Sequence, residues 1–246
     1  MPFIIPNWSL PKHVKAISST RRGGVSLAPY ASLNVGAHVG DKISSVAENR
    51  EQLMQAATMP SAPVWLNQTH STRVVEVSHP TEQVLDADGV FTRSTGVVCS
   101  AMTADCLPIL ICDKQGQQVA AVHAGWRGLA DGIVENAIEQ FSQEVSVWVG
   151  PAIGPSAFEV GDDVRQAFMD VDSNAHLAFQ SKSNQSEQPN KWLANMPLLV
   201  KQRLNCIGVS AITMSDLCTY QDPERFFSYR RDGVTGRQAS FIWLED

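Results

Sequence analysis

The sequence predicts an α/β protein with mixed sheets. Short runs rich in Val and Ile fill the middle of the chain, cut by Gly, Pro and Asp signals. Two of these runs, LPILICD and QVAAVHAG, flank DKQGQ, which reads as a hairpin, so part of the sheet is antiparallel. Between and after them come segments whose apolar residues recur at helical spacing, but without a regular strand-helix-strand winding. The 246 residues are 43% hydrophobic and 18% charged, enough for one sizeable core, and a single domain over 1–246 is expected. No apolar run is long enough to span a bilayer. A net charge of -6 and no dense basic block argue against nucleic acid as the principal partner.

Residues 18–40 are dense in Gly, Ser and Pro and read as loop and short strand. Residues 41–57 read as a helix capped by Ser44 or Ser45, with Val46, Leu53, Met54 and Ala57 as its apolar stripe and Pro60 as its stop. VWLN, RVVEV, GVVCSAM, LPILICD and QVAAVHAG follow as strands. LADGIVENAIEQFSQ carries a wide apolar face through Leu129, Ile133, Val134, Ala137, Ile138 and Phe141, and reads as one helix. VSVWVG is a strand, and GDDVRQAFMDV a helix with Val164, Ala167, Phe168 and Val171 inward. Residues 174–191 are the most polar stretch and read as a flexible excursion. A helix over 197–205, capped by Asn195 with Pro197 in its first turn, precedes the strand VSAITM. FFSYRR and ASFIWL read as strand-like segments either side of the turn DGVTGR.

Five Cys without a paired framework, and an N-terminus lacking a basic region and broken by Pro2, Pro6 and Pro11, argue against export. A cytoplasmic location is expected, where a cysteine acts as thiolate or metal ligand. Cys106 in TADCLP falls in a turn between two strands, His123 in VHAGWRG at a strand end before a helix, and His70 in NQTHS where an apolar run turns polar. Their separations match no zinc-finger pattern. They allow three protein ligands and an open fourth position, which catalytic zinc requires. Taken singly each is weak, since a lone Cys is commonly a small core residue; that is the reading for Cys99, Cys112, Cys206 and Cys218. His13, His38, His79 and His176 read as surface residues. HAGWRG could seat an anion at the following helix N-terminus with Arg127 adding charge, or could be a tight turn needing Gly125 and Gly128 for backbone reasons. Arg21, Arg22, Arg50, Arg230 and Arg231 suggest phosphate or carboxylate recognition as a group, while any single one reads more readily as a solvated surface arginine.

The motifs RRGGVSLAPYASLNVGAHVGD, NREQL, NQTHS, ADG, TADCLPILICD, AVHAGWRG, VGPAIGP, FEVG, CTY and FFSYRRDGVTGR occur in this order. Together they resemble the YfiH family, once described as multicopper polyphenol oxidoreductases, across nearly the whole chain. The resemblance implies a single layered α/β/β/α domain and a metal site on His70, Cys106 and His123. It also implies zinc-dependent phosphorolysis of adenosine, inosine, guanosine and S-methyl-5′-thioadenosine, with deamination of adenosine. The partners are then purine nucleosides and inorganic phosphate, with Asp105 as proton carrier and Asn34, Gln68, Arg50, Arg127 and Arg230 as substrate or phosphate contacts. Six His are too few for a multicopper cluster, although a single His2Cys copper centre, with Met102 as a conceivable axial ligand, is an alternative to zinc. A monomer is expected at this size. Competing readings are a metal-free hydrolase with Cys106 as nucleophile and His123 as base, an amidohydrolase editing misincorporated amino acids in peptidoglycan precursors, and a non-enzymatic metal-binding module.

Overall fold

Strands Leu107–Asp113 and Val119–Ala124 pair antiparallel, with Leu107 opposite Ala124 and Cys112 opposite Val119, as the DKQGQ turn predicts. In the computed structural model, which describes residues 3–182 and 191–245, they are the centre of a six-stranded sheet. Its order is Ile212–Met214, Val145–Val149, Leu107–Asp113, Val119–Ala124, Gly89–Thr92 and Val74–Glu76. The first and last pairs are parallel and the others antiparallel, giving the mixed sheet expected. A four-stranded antiparallel sheet runs Phe3–Ile4, Val14–Ser19, Gln238–Leu244, Val98–Thr103.

Every residue of the central hairpin strands is buried, because both faces are covered. Ile109 and Ile111 pack with Leu129, Ile133, Val134 and Leu199 from the helices. Leu110 and Cys112, on the opposite face, pack with Cys99, Ala101 and Ile242 of the four-stranded sheet. The outer face of that sheet, through Val98, Phe241 and Trp243, packs with Leu53 of helix Ile43–Ala56. Helix, sheet, sheet and helices thus stack in the α/β/β/α order.

Several sequence expectations give way. The long helix over 129–143 is two short ones, Trp126–Asp131 and Ile133–Ile138, broken at Gly132, whose φ of 99° is left-handed. The apolar period survives the break because both pieces lie on the same sheet face. FFSYRR is not a strand: Phe226 and Phe227 are core residues, and Ser228 caps a short helical turn, Tyr229–Asp232, by accepting the Arg231 N–H. Helix Ile43–Ala56 takes no cap from Ser44 or Ser45, which lie inside it; its N-cap is Lys42, without a side-chain cap bond. Val171 is exposed rather than inward. Strand Val14–Ser19, central to its sheet, carries too little apolar alternation to be read beforehand. In the 174–191 stretch, a 3-10 turn at Ser173–Ala178 leads into strand Phe179–Ser181, which pairs with Lys191–Ala194. The rest of that excursion, 183–190, lies outside the described residues. Asn195 does cap helix Met196–Cys206, accepting the Leu198 N–H at 3.0 Å.

Candidate metal centre

The chain crosses from one sheet to the other at residues 104–106, between strands Val98–Thr103 and Leu107–Asp113, and Cys106 sits on this corner. His123 lies on Val119–Ala124, beside Pro108 in the register. His70 lies in the loop after strand Leu66–Asn67. Both His70 and Asp105 hold positive φ, 62° and 101°, a conformation disfavoured for side chains other than Gly. The corner is held from outside: Asp105 accepts the Thr219 hydroxyl at 2.7 Å and the Arg230 N–H at 2.7 Å, and its carbonyl accepts the Ile153 N–H.

One ligand atom from each of His70, Cys106 and His123 lies within 4.8 Å of the others, with Cys106 Sγ 3.8 Å from His70 Nε2. The ligand atoms of a tetrahedral zinc stand roughly 3.5 Å apart, so this donor set fits one ion with a small rotation of the exposed His70 ring. The two imidazoles meet edge to face, centroids 4.9 Å apart. Gly125 shows why HAGWRG needs its glycine. Its backbone, φ −70° and ψ 168°, suits any residue, but an added Cβ would stand 2.3 Å from His70 Cδ2 and 3.3 Å from Cys106 Sγ. Space for the ligands, not backbone freedom, is the requirement.

Asp88, which the sequence reading passed over inside ADG, organises the trio. Fully buried, it accepts His123 Nδ1 at 2.8 Å, the backbone N–H groups of Thr69, His70 and Ser71, and the Ser71 hydroxyl. This leaves His123 Nε2 for the metal side, the carboxylate–histidine arrangement that orients metal ligands. Burial alone would raise the Asp88 pKa, but the bonds from His123 and Ser71 lower it to about 2. Burial likewise raises the Cys106 thiol, and the flanking His123 and His70 reverse this, leaving it at about 6. His123 is lowered by burial but raised more by Cys106 and Asp88, to about 9. The result is a thiolate–imidazolium pair whose thiolate suits a metal or an electrophile.

A cavity of about 280 Å³ opens on the trio, lined also by His38, Gln68, Met102, Tyr229 and Arg237. His38, exposed as the sequence suggests, also lines this cavity. Burial, then the charges of Arg237, Arg50 and His123, lower its pKa, which keeps it neutral at pH 7. Arg237 closes the FFSYRRDGVTGR motif but was not singled out from the sequence. It turns Nη1 to the carbonyls of Thr235 and Gly236 and, among the described residues, has no carboxylate partner.

The other expected contacts are placed differently. Asn34 is fully buried, its oxygen accepting the N–H groups of Gly36 and Arg237 and its amide donating to Asp41, so it holds the Arg237 backbone. Gln68 lines the cavity but pairs both amide atoms with the Met102 backbone. Arg50 stacks on Trp65 at 3.8 Å, donates to the Val35 carbonyl and lines a separate cavity; burial lowers its pKa to about 10. Arg127 is exposed over the Trp126 ring. Arg230 reaches the Glu159 carbonyl and lines a second, smaller cavity on the far side of Cys106. Arg21, Arg22 and Arg231 spend their guanidinium groups on backbone carbonyls, Glu224 or Asp232. His13, His79 and His176 bond Gly116, Ser78 and Ser173 away from the cavity, so only His38, His70 and His123 bring imidazoles to it.

The chain is 51% identical over 244 residues to the Shigella flexneri protein named purine nucleoside phosphorylase YfiH, covering 98% of each. It is 48% identical over 248 residues to a purine nucleoside phosphorylase of Haemophilus influenzae, covering 100% of each. Among solved structures, Neisseria meningitidis protein NMB0706 superposes with a TM-score of 0.93 at 42% identity, and YlmD from Geobacillus stearothermophilus with 0.83 at 28%, each covering 100% of both chains. Residues 15–245 match the family described as multi-copper polyphenol oxidoreductase laccase, and the chain belongs to that family, the YfiH family of the motifs above.

Proposed function

We propose that the protein is a zinc-dependent purine nucleoside phosphorylase acting on adenosine, inosine, guanosine and S-methyl-5′-thioadenosine, with adenosine deamination as a second activity. One observation carries this reading: the Cys106 sulfur and two imidazoles meet on the wall of an open cavity that also holds an arginine which, among the described residues, has no carboxylate partner. A structural zinc would close its fourth position with protein, whereas His70, Cys106 and His123 all line an open cavity. The names of the relatives agree with the phosphorylase reading. The donor set, with a single sulfur and two imidazoles, one of them held by a carboxylate, suits zinc, and copper(II) is the alternative.

In phosphorolysis a phosphate oxygen bonds to C1′ of the ribose while the C1′–N9 bond breaks, and the purine leaves with the electron pair and takes up a proton. Bound at the trio, zinc would supply Lewis acidity to the substrates. The chain itself supplies the rest. Arg237 offers a fixed positive charge to the phosphate, and neutral His38 can accept a hydrogen bond from its protonated oxygen. Asp88 keeps His123 in one tautomer, and Asp105 holds the 104–106 corner and the Tyr229 turn through Thr219 and Arg230. With both oxygens engaged, Asp105 serves as a positioning residue in this scheme rather than as proton carrier.

Metal analysis of protein purified without added metal, followed by an assay with adenosine and phosphate, tests the proposal. The expected result is about one zinc per chain, with adenine and ribose 1-phosphate as products. Cys106→Ala should lose both metal and turnover. The lowered Cys106 thiol favours one second reading, a metal-free hydrolase with Cys106 attacking and His123 as base. Full activity in a strong chelator would overturn the zinc-dependent reading and favour a metal-free one.

A further inference from the structure

Two cavities meet at Cys106. The larger, about 280 Å³, carries His38, Arg237 and the metal ligands. The smaller, about 130 Å³, is walled by Trp126, Ile153, Phe158 and Met196, with Arg230 and Asp105 at its polar side. Ala104, Cys106 and Tyr229 are walls of both. A molecule with a polar anionic part and a flat apolar part has one natural orientation across this pair. The anion belongs beside Arg237, and the flat part belongs against the aromatic rings.

Asp105 and one arm of Arg230, at the polar side of the smaller cavity, are engaged within the protein. Asp105 accepts from Thr219 and Arg230, and Arg230 donates from Nη1 to the Glu159 carbonyl while its guanidinium stands 5.1 Å over the Phe158 ring. Arg127 stands 4.2 Å from the Trp126 ring centroid. Cation-covered aromatic rings of this kind form stacking surfaces, and every purine has a π face whatever its exocyclic groups. Resting on the phosphorylase reading, we propose that the smaller cavity is the base slot. It takes the purine ring of a nucleoside by stacking and apolar contact on Phe158 and Trp126, while sugar and phosphate occupy the larger cavity. Tyr229, the shared wall, stands beside the glycosidic bond. Stacking on a π face discriminates weakly between 6-amino and 6-oxo purines, whereas a site built around hydrogen bonds to the ring edge would reject one of them strongly.

Steady-state kinetics with inosine, adenosine and phosphate, together with equilibrium dialysis of hypoxanthine, test the slot. Phe158 is half-buried, and Phe158→Ala should raise KM for both nucleosides by about tenfold or more, leaving KM for phosphate and zinc content within about twofold. Phe158→Tyr, which keeps the ring, should stay close to the wild type. Hypoxanthine should bind the wild-type protein with phosphate present or absent, and binding should be lost in Phe158→Ala. Unchanged nucleoside KM, or an equal rise in the phosphate KM, would overturn the proposal. If the wild-type protein showed no phosphorolysis, the phosphorylase reading would fail on its own, and hypoxanthine dialysis would still decide whether the slot binds a purine ring.

Discussion

Asp88 shows how much of the site rests on one carboxylate. It fixes the His123 tautomer and the His70 loop together, so Asp88→Asn should weaken zinc binding about 10–100-fold in a competitive chelator titration. The substitution should also show in acid. A carboxyl lowered from 3.8 to about 2 contributes stability that is present above about pH 4 and lost as pH falls through 2. The difference in unfolding free energy between wild type and Asp88→Asn should therefore shrink towards pH 2; a constant difference would remove Asp88 from the acid response. A second residue-scale prediction concerns the metal-free protein. Cys106, lowered to about 6, should be alkylated by iodoacetamide with a midpoint near pH 6, whereas Cys112, buried and raised to about 12, should stay unreactive. A Cys106 midpoint near the ordinary 9.0 would show that His123 and His70 do not act on it.

At the scale of elements, Gly132 separates a period visible in the sequence from a path that is not. Apolar spacing runs unbroken from Leu129 to Ile138, yet the chain turns left-handed at Gly132 and restarts. A Cβ there meets nothing closer than 3.7 Å, so Gly132→Ala tests conformation alone. It should cost about 1 kcal/mol in chemical denaturation; an increase in stability would mean that the two pieces prefer to fuse. The central hairpin was legible because each strand carries its own signal and DKQGQ joins them locally. FFSYRR was not. Its aromatic alternation mimics a strand, whereas Phe226 and Phe227 are buried by the surrounding packing and Ser228 starts a helical turn anchored on Asp105.

For the whole molecule, the three candidate metal ligands bridge layers. Cys106 sits where the chain passes between sheets, His123 belongs to the six-stranded sheet and His70 to the loop after a short separate strand pair. A zinc ion held there would favour the folded state by mass action. Chelator should lower the melting temperature of the zinc-loaded protein and leave that of Cys106→Ala unchanged; equal shifts in both would place the stabilising metal elsewhere. No described helix is long and apolar enough to cross a membrane, in keeping with the composition. The sequence by itself determined the fold class, the strands of the central hairpin and the trio His70, Cys106 and His123, because pattern and motif are local properties of the chain. Only the tertiary structure decided that Asp88, His38 and Arg237 join the site, that Arg50 and Asn34 face elsewhere, and that Gly125 is there to make room for His70. These are contacts between segments far apart in sequence, created when two sheets stack, and no local pattern encodes which side chains that stacking brings together.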